Sequence, residues 1–291
     1  MAAGGGCREV KGVEEAIIEV KDVYYAYPGG YEALRGVTLE VRRGEFIAIM
    51  GENGAGKTTL IKHFNGILKP SKGTVKVKGI DTRTKSVAEL SRIVGIVFQN
   101  PDHQLFEETV YDEVAFALRN FGYSEDVIER RVAWALNILD LQRYKDRSPY
   151  SLSVGEKRRL ALASVLAYDP EVLVLDEPTA GQDYLQKEKI SQTMNLLRLM
   201  GKTVVIVTHD VEFVTSYVDR IVVMSGGKVI AEGQPRKILA NYAVLRKANL
   251  VPPQIVRVAR ALYGKSLLER YDYLSPEELF NDLRRIMGNT R

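Results

Sequence analysis

The sequence has little cysteine, little histidine and no long apolar run. Its 291 residues include one cysteine, Cys7, so no disulfide can form within the chain and a reducing compartment is expected. Its three histidines, His63, His103 and His209, are scattered and offer no spacing for a metal site. No apolar stretch approaches the roughly 18 residues that a membrane-spanning helix needs. If the protein works at a membrane, we expect another protein to hold it there.

A strong charge of either sign is also lacking. Lys and Arg number 41, Asp and Glu number 37, and the net charge is +4. This charge is too weak to indicate a nucleic-acid partner. It fits an ordinary solvated surface or, alternatively, docking to an acidic partner or near a membrane. The Gly-rich residues 1–15 lack the apolar segment of a secretory signal, and we interpret them as a disordered leader or a misplaced start.

Length and composition allow one large domain, or a main domain with a small one, since 45% of the residues are hydrophobic. Three β-rich segments stand near the N-terminus: "AIIEVKDVYYAY", "VTLEV" and "EFIAIM". Short, fully apolar runs follow at 94–98, 172–175 and 204–207 and alternate with helical stretches. Such runs are typical of parallel strands buried on both faces. The pattern predicts an α/β domain over residues 16–240.

Two regions are predicted to be helical. Residues 107–167 have helical apolar spacing throughout, which indicates a helical subdomain over about 101–167. Residues 241–291 read as a C-terminal helical extension, in which Ser275 is the N-cap of the last helix. An apolar stripe on that helix is formed by Leu279, Phe280, Leu283, Ile286 and Met287. The stripe packs either on the chain's own core or on a second protein, and the sequence leaves both open.

The segment "GENGAGKTT" gives the strongest indication of chemistry. It fits the pattern G-x-x-x-x-G-K-T, follows an apolar strand and precedes a helix that can end at Gly66. Its glycines let backbone N–H groups surround phosphates, and the helix N-terminus adds a partial positive charge. Lys57 is placed for the β- and γ-phosphates and the Thr58 hydroxyl for Mg²⁺. The predicted nucleotide-binding residues of this loop are Gly51, Glu52, Asn53, Gly54, Ala55, Gly56, Lys57, Thr58 and Thr59.

Two adjacent carboxylates end the apolar segment "VLVLDEPT". Asp176 can reach across to Thr58 and bind the same Mg²⁺. Paired carboxylates repel each other unless a cation or a function holds them, so Glu177 is the predicted general base that polarises the attacking water. The alternative is a helix-capping pair at a strand–helix turn.

Three further side chains are candidates for the same site. Gln99 ends an apolar strand, where its amide can bind Mg²⁺ or hold the attacking water. His209 follows the next strand and is placed to contact the γ-phosphate, although alone it would be an ordinary polar residue at a sheet edge. Tyr27 either stacks on adenine, which contributes roughly 1–3 kcal/mol, or is an ordinary strand-end aromatic.

Taken in order along residues 16–235, these motifs resemble the ATP-binding cassette (ABC) ATPase family. "LSVGE" at 152–156 is similar to the family signature LSGGQ, and Asp183 in "AGQD" to its D-loop aspartate. The resemblance implies Mg²⁺-dependent hydrolysis of ATP by a head-to-tail dimer. In that dimer, Ser153 and Gly155 of one chain close over the ATP held by the other, so a lone chain would be nearly inactive.

The signature departs from the family pattern at two positions. Val154 stands where the family usually has glycine, and a β-branched residue resists positive φ and adds bulk near a phosphate. Glu156 replaces glutamine and adds negative charge. The change is either a tolerated variant or the mark of an asymmetric pair with a different cassette.

The segment after Gln99, "FQNPDHQLFEETVYDEVAFAL", resembles the ATPases of energy-coupling factor (ECF) transporters, including cobalt and nickel importers. The tail segments "LVPPQIVRVARAL" and "LSPEEL" are similar to the C-terminal extension of those ATPases. The resemblance implies a P-loop α/β core with an N-terminal antiparallel β subdomain, a helical subdomain and a small C-terminal helical extension.

The same resemblance implies partners. The chain would form a homodimer, or pair with a paralogue, at the cytoplasmic face of the cell membrane. It would sit beneath a transmembrane coupling protein and a small membrane protein that binds a vitamin or a transition-metal ion.

Two alternatives remain open. A soluble ABC ATPase of DNA maintenance would carry a long heptad insertion between its nucleotide motifs, where this chain has a compact helical stretch. An ATPase of iron–sulfur cofactor assembly would have no membrane partner and no need of the segment "NPDHQLF". Membrane association of the native protein separates these hypotheses.

Overall fold

The structure, a computed structural model, describes residues 15–182 and 184–288. Most of the predicted leader, with Cys7, lies outside the described residues, and so does Asp183. Ten strands are described: β1 (Ala16–Ala26), β2 (Glu32–Arg42), β3 (Phe46–Met50), β4 (Lys72–Val77), β5 (Ile80–Asp81), β6 (Val94–Val97), β7 (Val172–Asp176), β8 (Thr203–Thr208), β9 (Arg220–Ser225) and β10 (Lys228–Gly233).

Eleven α-helices are described: α1 (Lys57–Phe64), α2 (Val87–Ser91), α3 (Val110–Asn120), α4 (Glu125–Ile138), α5 (Val154–Leu166), α6 (Tyr184–Leu199), α7 (Val211–Val214), α8 (Pro235–Leu239), α9 (Tyr242–Lys247), α10 (Gln254–Tyr263) and α11 (Pro276–Gly288). None of these helices is both long and apolar enough to span a membrane.

Two sheets form the α/β part of the chain. The larger has six strands in the order β10-β9-β3-β8-β7-β6, parallel from β9 to β6 with β10 antiparallel at the edge. The smaller has four antiparallel strands in the order β2-β1-β4-β5. The predicted parallel core and N-terminal antiparallel subdomain are therefore confirmed. Strands β4, β5, β9 and β10 are absent from the predicted set.

Strand β3 lies between two apolar cores. Ile47 and Ile49 pack with the residues of the antiparallel sheet, whereas Phe46, Ala48 and Met50 pack with those of the helical subdomain. Successive side chains of a strand point to opposite faces, so a strand covered on both faces must be apolar at every position. This burial fixes β3 firmly, and with it the loop that follows at Gly51.

The helical subdomain consists of separate helices rather than one continuous run. Gly122, with φ 81°, stands between α3 and α4, and Asp140, with φ 56°, follows α4. Left-handed backbone does not continue a right-handed helix. The prediction of helix throughout 107–167 is therefore wrong at these two points and over the loop that leads to α5.

The C-terminal extension packs partly on itself. Ser275 accepts a backbone N–H of the first turn of α11 at 3.2 Å, so it is the predicted N-cap. Leu279 and Leu283 join a small core with residues of α10 and the segment between the helices. Phe280 and Met287 of the same stripe are 63% and 73% exposed. The chain's own core therefore covers only part of the stripe.

Candidate active site

The loop between β3 and α1 is a glycine-rich turn that exposes its backbone. Gly54 and Gly56 have φ of 81° and 98°, values that L side chains rarely adopt. A Cβ at Gly56 would lie 2.5 Å from the carbonyl oxygen of Ala33, so only glycine fits there. The loop leads into the N-terminus of α1, where the first N–H groups have no partner within the helix. Together these features form a site in which backbone N–H groups can bind an anion.

Lys57 is the first residue of α1 and is 6% exposed. Its ammonium donates hydrogen bonds to the carbonyl oxygens of Gly51 at 2.7 Å and Glu52 at 2.8 Å. Burial lowers the pKa of Lys57, while the carboxylates of Glu177, Asp176 and Glu52 act in the opposite direction. The two loop carbonyls thus hold the ammonium in place, and no charged group of residues 15–182 or 184–288 forms an ion pair with it.

Asp176, at the end of β7, meets the loop from the neighbouring strand. Its Oδ2 accepts a hydrogen bond from the Thr58 hydroxyl at 2.9 Å. Its Oδ1 is buried and has no hydrogen-bond partner among the described residues. Burial raises the pKa of Asp176, and the hydrogen bond from Thr58 opposes that effect. A buried carboxylate oxygen without a partner, beside a hydroxyl, suits a hard cation such as Mg²⁺.

Glu177 directly follows β7 and is held in a strained backbone conformation. Its φ is 50°, which is unusual for a residue with a side chain, and it is 6% exposed. Its Oε2 accepts from the Thr208 hydroxyl at 3.1 Å, and its Oε1 lies 2.9 Å from Nδ1 of His209. The structure thus brings Glu177 and His209, two separately predicted site residues, into direct contact.

An open cavity of about 540 Å³ lies over the glycine-rich loop. Its lining consists of Tyr31, Ala33, Asn53, Gly54, Gly56, Lys57, Thr58, Thr59, Gln99 and Glu177. The structure thus brings most of the predicted loop residues together with Gln99 and Glu177. Gly51, Glu52 and Ala55 belong to the same loop but do not line the cavity.

Tyr27 does not line this cavity. Its hydroxyl lies 3.1 Å from the Thr59 hydroxyl, and its ring packs edge-on against Tyr25 at 5.0 Å between centroids. Tyr31 is the aromatic that reaches the cavity: it is 57% exposed and donates to the carbonyl oxygen of Gly54 at 3.2 Å. Sequence reasoning missed Tyr31, and its place just after the Gly29-Gly30 turn is the signal that could have indicated it.

A second cavity, of about 500 Å³, connects the same carboxylates to the helical subdomain. Gln99, Asp176 and Glu177 line it together with Gly155 and Gln182. Gln99 and Glu177 therefore line both cavities. Gly155, the glycine of the predicted signature segment, lines only the second one.

Ser153 is the N-cap of α5 and forms a complete capping box with Glu156. The Glu156 carboxylate accepts from the backbone N–H of Ser153 at 2.9 Å and from its hydroxyl at 2.7 Å. A hydrogen bond from Tyr144, together with those from Ser153, lowers the pKa of Glu156 to about 2. The extra negative charge at this position is thus engaged in capping. Ser153 and Gly155 do not line the cavity over the chain's own glycine-rich loop.

Val154 is the first residue of α5 and is 63% exposed. Its backbone is helical, so the expected conflict between a β-branched side chain and positive φ does not arise. That part of the prediction is wrong, because position 154 needs no left-handed conformation. The valine adds only apolar bulk at an exposed helix start.

Comparison with known proteins identifies the family. A family model described as "ABC transporter" matches residues 34–180, about half of the chain. The chain belongs to the ABC transporter family. It is an ATPase with the P-loop fold of ABC cassettes, as predicted. The matched region contains the glycine-rich loop, Gln99 and the signature segment. It also contains Asp176, the last residue of β7, and Glu177, which follows it.

Individual relatives are more specific. The chain is 43% identical over 251 residues to "Energy-coupling factor transporter ATP-binding protein EcfA" of Methanocaldococcus jannaschii, which covers 86% of this chain and 90% of that protein. It is 42% identical over 275 residues to a putative ABC transporter ATP-binding protein of Caldanaerobacter subterraneus, covering 94% of this chain. The chain spans about half (47%) of that second relative's length.

Among solved structures, the chain is similar to cbiO1 from Clostridium perfringens, described as part of the ABC transporter complex cbiONQ. The TM-score is 0.71 and the identity 40%, over 86% of this chain and all of that one. The predicted resemblance to the ATPases of ECF and cobalt-type transporters is confirmed by these relatives.

Proposed function

We propose that this chain is the ATP-hydrolysing subunit of an ECF-type importer. The site observation that carries the ATPase assignment is the buried, unpartnered Oδ1 of Asp176 beside the Thr58 hydroxyl. Asp176, Thr58 and Gln99 would hold Mg²⁺, which when bound neutralises phosphate charge. The glycine-rich loop over 51–59 binds the phosphates with its backbone N–H groups, and Lys57 turns its ammonium from the loop carbonyls toward them.

Glu177 is the proposed general base. Its carboxylate is fixed from two sides, by Thr208 and His209, and it faces the cavity over the loop. A fixed carboxylate there can orient a water and take its proton as that water attacks the γ-phosphate. His209 positions Glu177 through their direct contact, and it stays a predicted contact of the γ-phosphate. Gln99, which lines both cavities, is placed to help orient the water.

The signature segment is proposed to act on the ATP of a second chain. Ser153 and Gly155 lie outside the cavity over the chain's own loop, while Val154 leaves the start of α5 exposed. A helix N-terminus stabilises negative charge, so the start of α5 fits a γ-phosphate held by a partner. Asp183 stays a predicted contact between the two chains. The second chain is either another copy or a paralogue.

An exposed aromatic pair supports a docking site for a transmembrane coupling protein. Phe106 and Phe116 are 55% and 40% exposed, and their rings form an edge-to-face pair at 4.7 Å between centroids. Buried Glu113 fixes this segment, since its carboxylate accepts the backbone N–H groups of Phe106 at 2.8 Å and Glu107 at 2.9 Å. Exposed aromatics on a rigid support are typical of binding hot spots. The segment continues from Gln99, so docking can affect the active site.

The names of the relatives supply the rest of the proposal. The archaeal relative is named as an energy-coupling factor transporter protein and the Clostridium neighbour as part of a transporter complex. We therefore place this chain at the cytoplasmic face of the membrane, with a coupling protein and a small membrane protein that binds a vitamin or a transition-metal ion.

Membrane fractionation of the producing cells tests the docking site. The double substitution Phe106→Ser/Phe116→Ser should lower the membrane-bound fraction at least about fivefold, because aromatic hot spots each contribute more than 1 kcal/mol. The matched control is Leu199→Ser, which removes an 87% exposed leucine at the end of α6. Equal membrane binding of both variants would rule out this surface, and wild-type chain found only in the soluble fraction would favour the cofactor-assembly alternative.

A further inference from the structure

The phosphate loop carries an acidic side chain, Glu52, in a place where negative charge is unfavourable. Its backbone carbonyl accepts a hydrogen bond from Lys57 at 2.8 Å, so the residue is part of the loop that holds the ammonium. A carboxylate beside bound polyphosphate repels it, and the repulsion is strong at short range in a partly buried site. The charge of the Glu52 carboxylate reaches Lys57 and acts to raise the pKa of its ammonium. Something must therefore hold this carboxylate away from the ligand.

The C-terminal extension supplies that contact. The side-chain amide of Asn249 donates a hydrogen bond to Oε2 of Glu52. On the other side, the Ser225 hydroxyl lies 3.5 Å from Oε1 of Glu52 and donates to the carbonyl oxygen of Lys247 at 3.1 Å. The Glu52 carboxylate thus points out of the phosphate loop, toward the segment between α9 and α10, and does not line the cavity.

The segment that presents Asn249 is itself fixed at both ends. Leu250 is 7% exposed, and its N–H donates to the carbonyl oxygen of Leu245 at 2.9 Å, which closes α9. At the start of α10, the N–H of Gln254 donates to Glu212 at 2.6 Å. Glu212 belongs to α7, the short helix directly after His209. The extension therefore contacts the phosphate loop and the helix after the histidine at the same time.

Asn249 suits this position for a backbone reason as well. Its φ is 51°, a left-handed conformation that asparagine and glycine tolerate better than other residues. The conformation directs the amide back across the end of α9 toward the loop. An aspartate would adopt the same backbone but would place a second carboxylate against Glu52.

We propose that Asn249 is a positioning residue that holds the Glu52 carboxylate away from the ATP phosphates, so that the C-terminal extension sets the affinity of the phosphate loop. The proposal rests on the assignment of residues 51–59 to ATP phosphates. Loss of the amide frees the carboxylate to turn toward Lys57 and the ligand, which weakens binding of phosphate-rich nucleotides. A partner that displaces the extension would lower the affinity for ATP in the same way.

Four variants of the full-length chain separate this role from a structural one. Asn249→Gly removes the amide and keeps the left-handed backbone, and Asn249→Asp replaces attraction by repulsion. Glu52→Gln removes the charge. In Glu52→Gln/Asn249→Asp the amide stands at position 52 and the carboxylate at position 249, so the hydrogen bond is restored with donor and acceptor exchanged. The matched control is Ser266→Gly, an exposed left-handed position, with φ 58°, shortly after α10. Thermal melts of each variant confirm folding.

The measurement is the dissociation constant of ATPγS, a slowly hydrolysed ATP analogue, by titration calorimetry with Mg²⁺. We expect Asn249→Asp to raise it at least about fivefold, in the range of ordinary coupling between sites, and Asn249→Gly to raise it less. Glu52→Gln should relieve the loss, so that the double variant binds clearly more tightly than Asn249→Asp alone, and Ser266→Gly should be unchanged.

Two results would overturn the proposal. The first is wild-type affinity in both Asn249 variants; the second is an equal loss of affinity from Asn249→Asp with and without Glu52→Gln, which would indicate loop distortion. A parallel titration of Lys57→Ala distinguishes failure of the positioning role from failure of the proposed phosphate site. If Lys57→Ala loses binding and the Asn249 variants do not, only the positioning role fails. If Lys57→Ala binds normally, the proposed phosphate site itself fails.

Discussion

Lys57 is the residue on which we expect nucleotide binding to depend most directly. Its ammonium is buried and donates to two loop carbonyls, so it is pre-positioned and partly desolvated before any ligand arrives. Binding of phosphate exchanges these neutral acceptors for charged ones, which gives stronger hydrogen bonds.

We predict that Lys57→Ala weakens ATP binding about 10- to 150-fold, the loss expected for a hydrogen bond to a charged group. The dissociation constant of ATPγS checks this. Lys72→Ala, which removes a largely exposed lysine of β4 in an ion pair with Asp22, is the control and should bind normally. Unchanged affinity of Lys57→Ala would refute its assignment.

At the residue scale, contiguous motifs could be predicted and contacts between distant segments could not. Lys57 and Thr58 stand in one short segment whose spacing already fixes their relation to a phosphate. Asp176 could be matched to Thr58 because parallel strands end at the same edge of a sheet. Tyr31 and Asn249 reach the loop across the fold, from a turn and from the C-terminal extension. The turn before Tyr31 marks its place only weakly, and no local pattern indicates the contact of Asn249.

At the scale of elements, the start of α5 shows why the signature tolerates its departures. The Glu156 carboxylate accepts hydrogen bonds from Ser153 and so stabilises the first turn of α5. A glutamine oxygen at this position can accept the same bonds but carries no charge to interact with the helix dipole.

We predict that Glu156→Gln lowers the melting temperature at pH 7 by about 1–4 °C, the effect of a charge at a helix N-terminus in a chain of this size. The folded chain depresses the pKa of Glu156 from 4.5 to about 2. Its contribution is therefore complete above about pH 4.5 and is lost as the pH falls toward 2. Melts from pH 7 to pH 2.5 should show the two proteins converging.

The control for this experiment is Glu129→Gln, at an exposed position of α4. Its melting temperature should stay close to that of the wild type across the series. A Glu156→Gln difference that is the same at every pH would contradict the capping role of the charge.

The larger elements followed from apolar patterning, and the smaller ones did not. β6, β7 and β8 are buried on both faces, so their sequences are continuous apolar runs. β10 alternates between half-buried and exposed positions and carries Lys228 and Glu232. Its sequence therefore resembles that of surface segments and does not indicate a strand. Apolar spacing does not predict the breaks in the helical subdomain, although Gly122 and Asp140 are typical left-handed residues that end helices.

At the scale of the whole molecule, the active site is proposed to be complete only in a dimer. Ser153 and Gly155 do not line the cavity over the chain's own phosphate loop. We propose that the N-terminus of α5 instead acts on ATP bound to a second chain. In this proposal, ATP joins two chains and its hydrolysis lets them separate.

We predict that Glu177→Gln keeps ATP binding, lowers turnover by roughly 10²–10⁴-fold and traps the closed dimer, because glutamine preserves the contacts of the side chain but cannot take a proton. Light scattering with saturating ATP and Mg²⁺ should show twice the monomer mass, and removal of ATP should reverse it. A monomer under saturating ATP would contradict the shared site. The Lys57→Ala/Glu177→Gln double variant, which should stay monomeric, is the control.

We propose that this ATPase energises a membrane importer of the ECF type. The most direct test of this proposal is a pull-down of the tagged chain from native membranes in mild detergent, with each co-purifying protein identified by mass spectrometry. The proposal predicts a transmembrane coupling protein, a small substrate-binding membrane protein and a second ATPase chain, either another copy or a paralogue. Recovery of the chain from the soluble fraction alone, without any membrane protein, would contradict it.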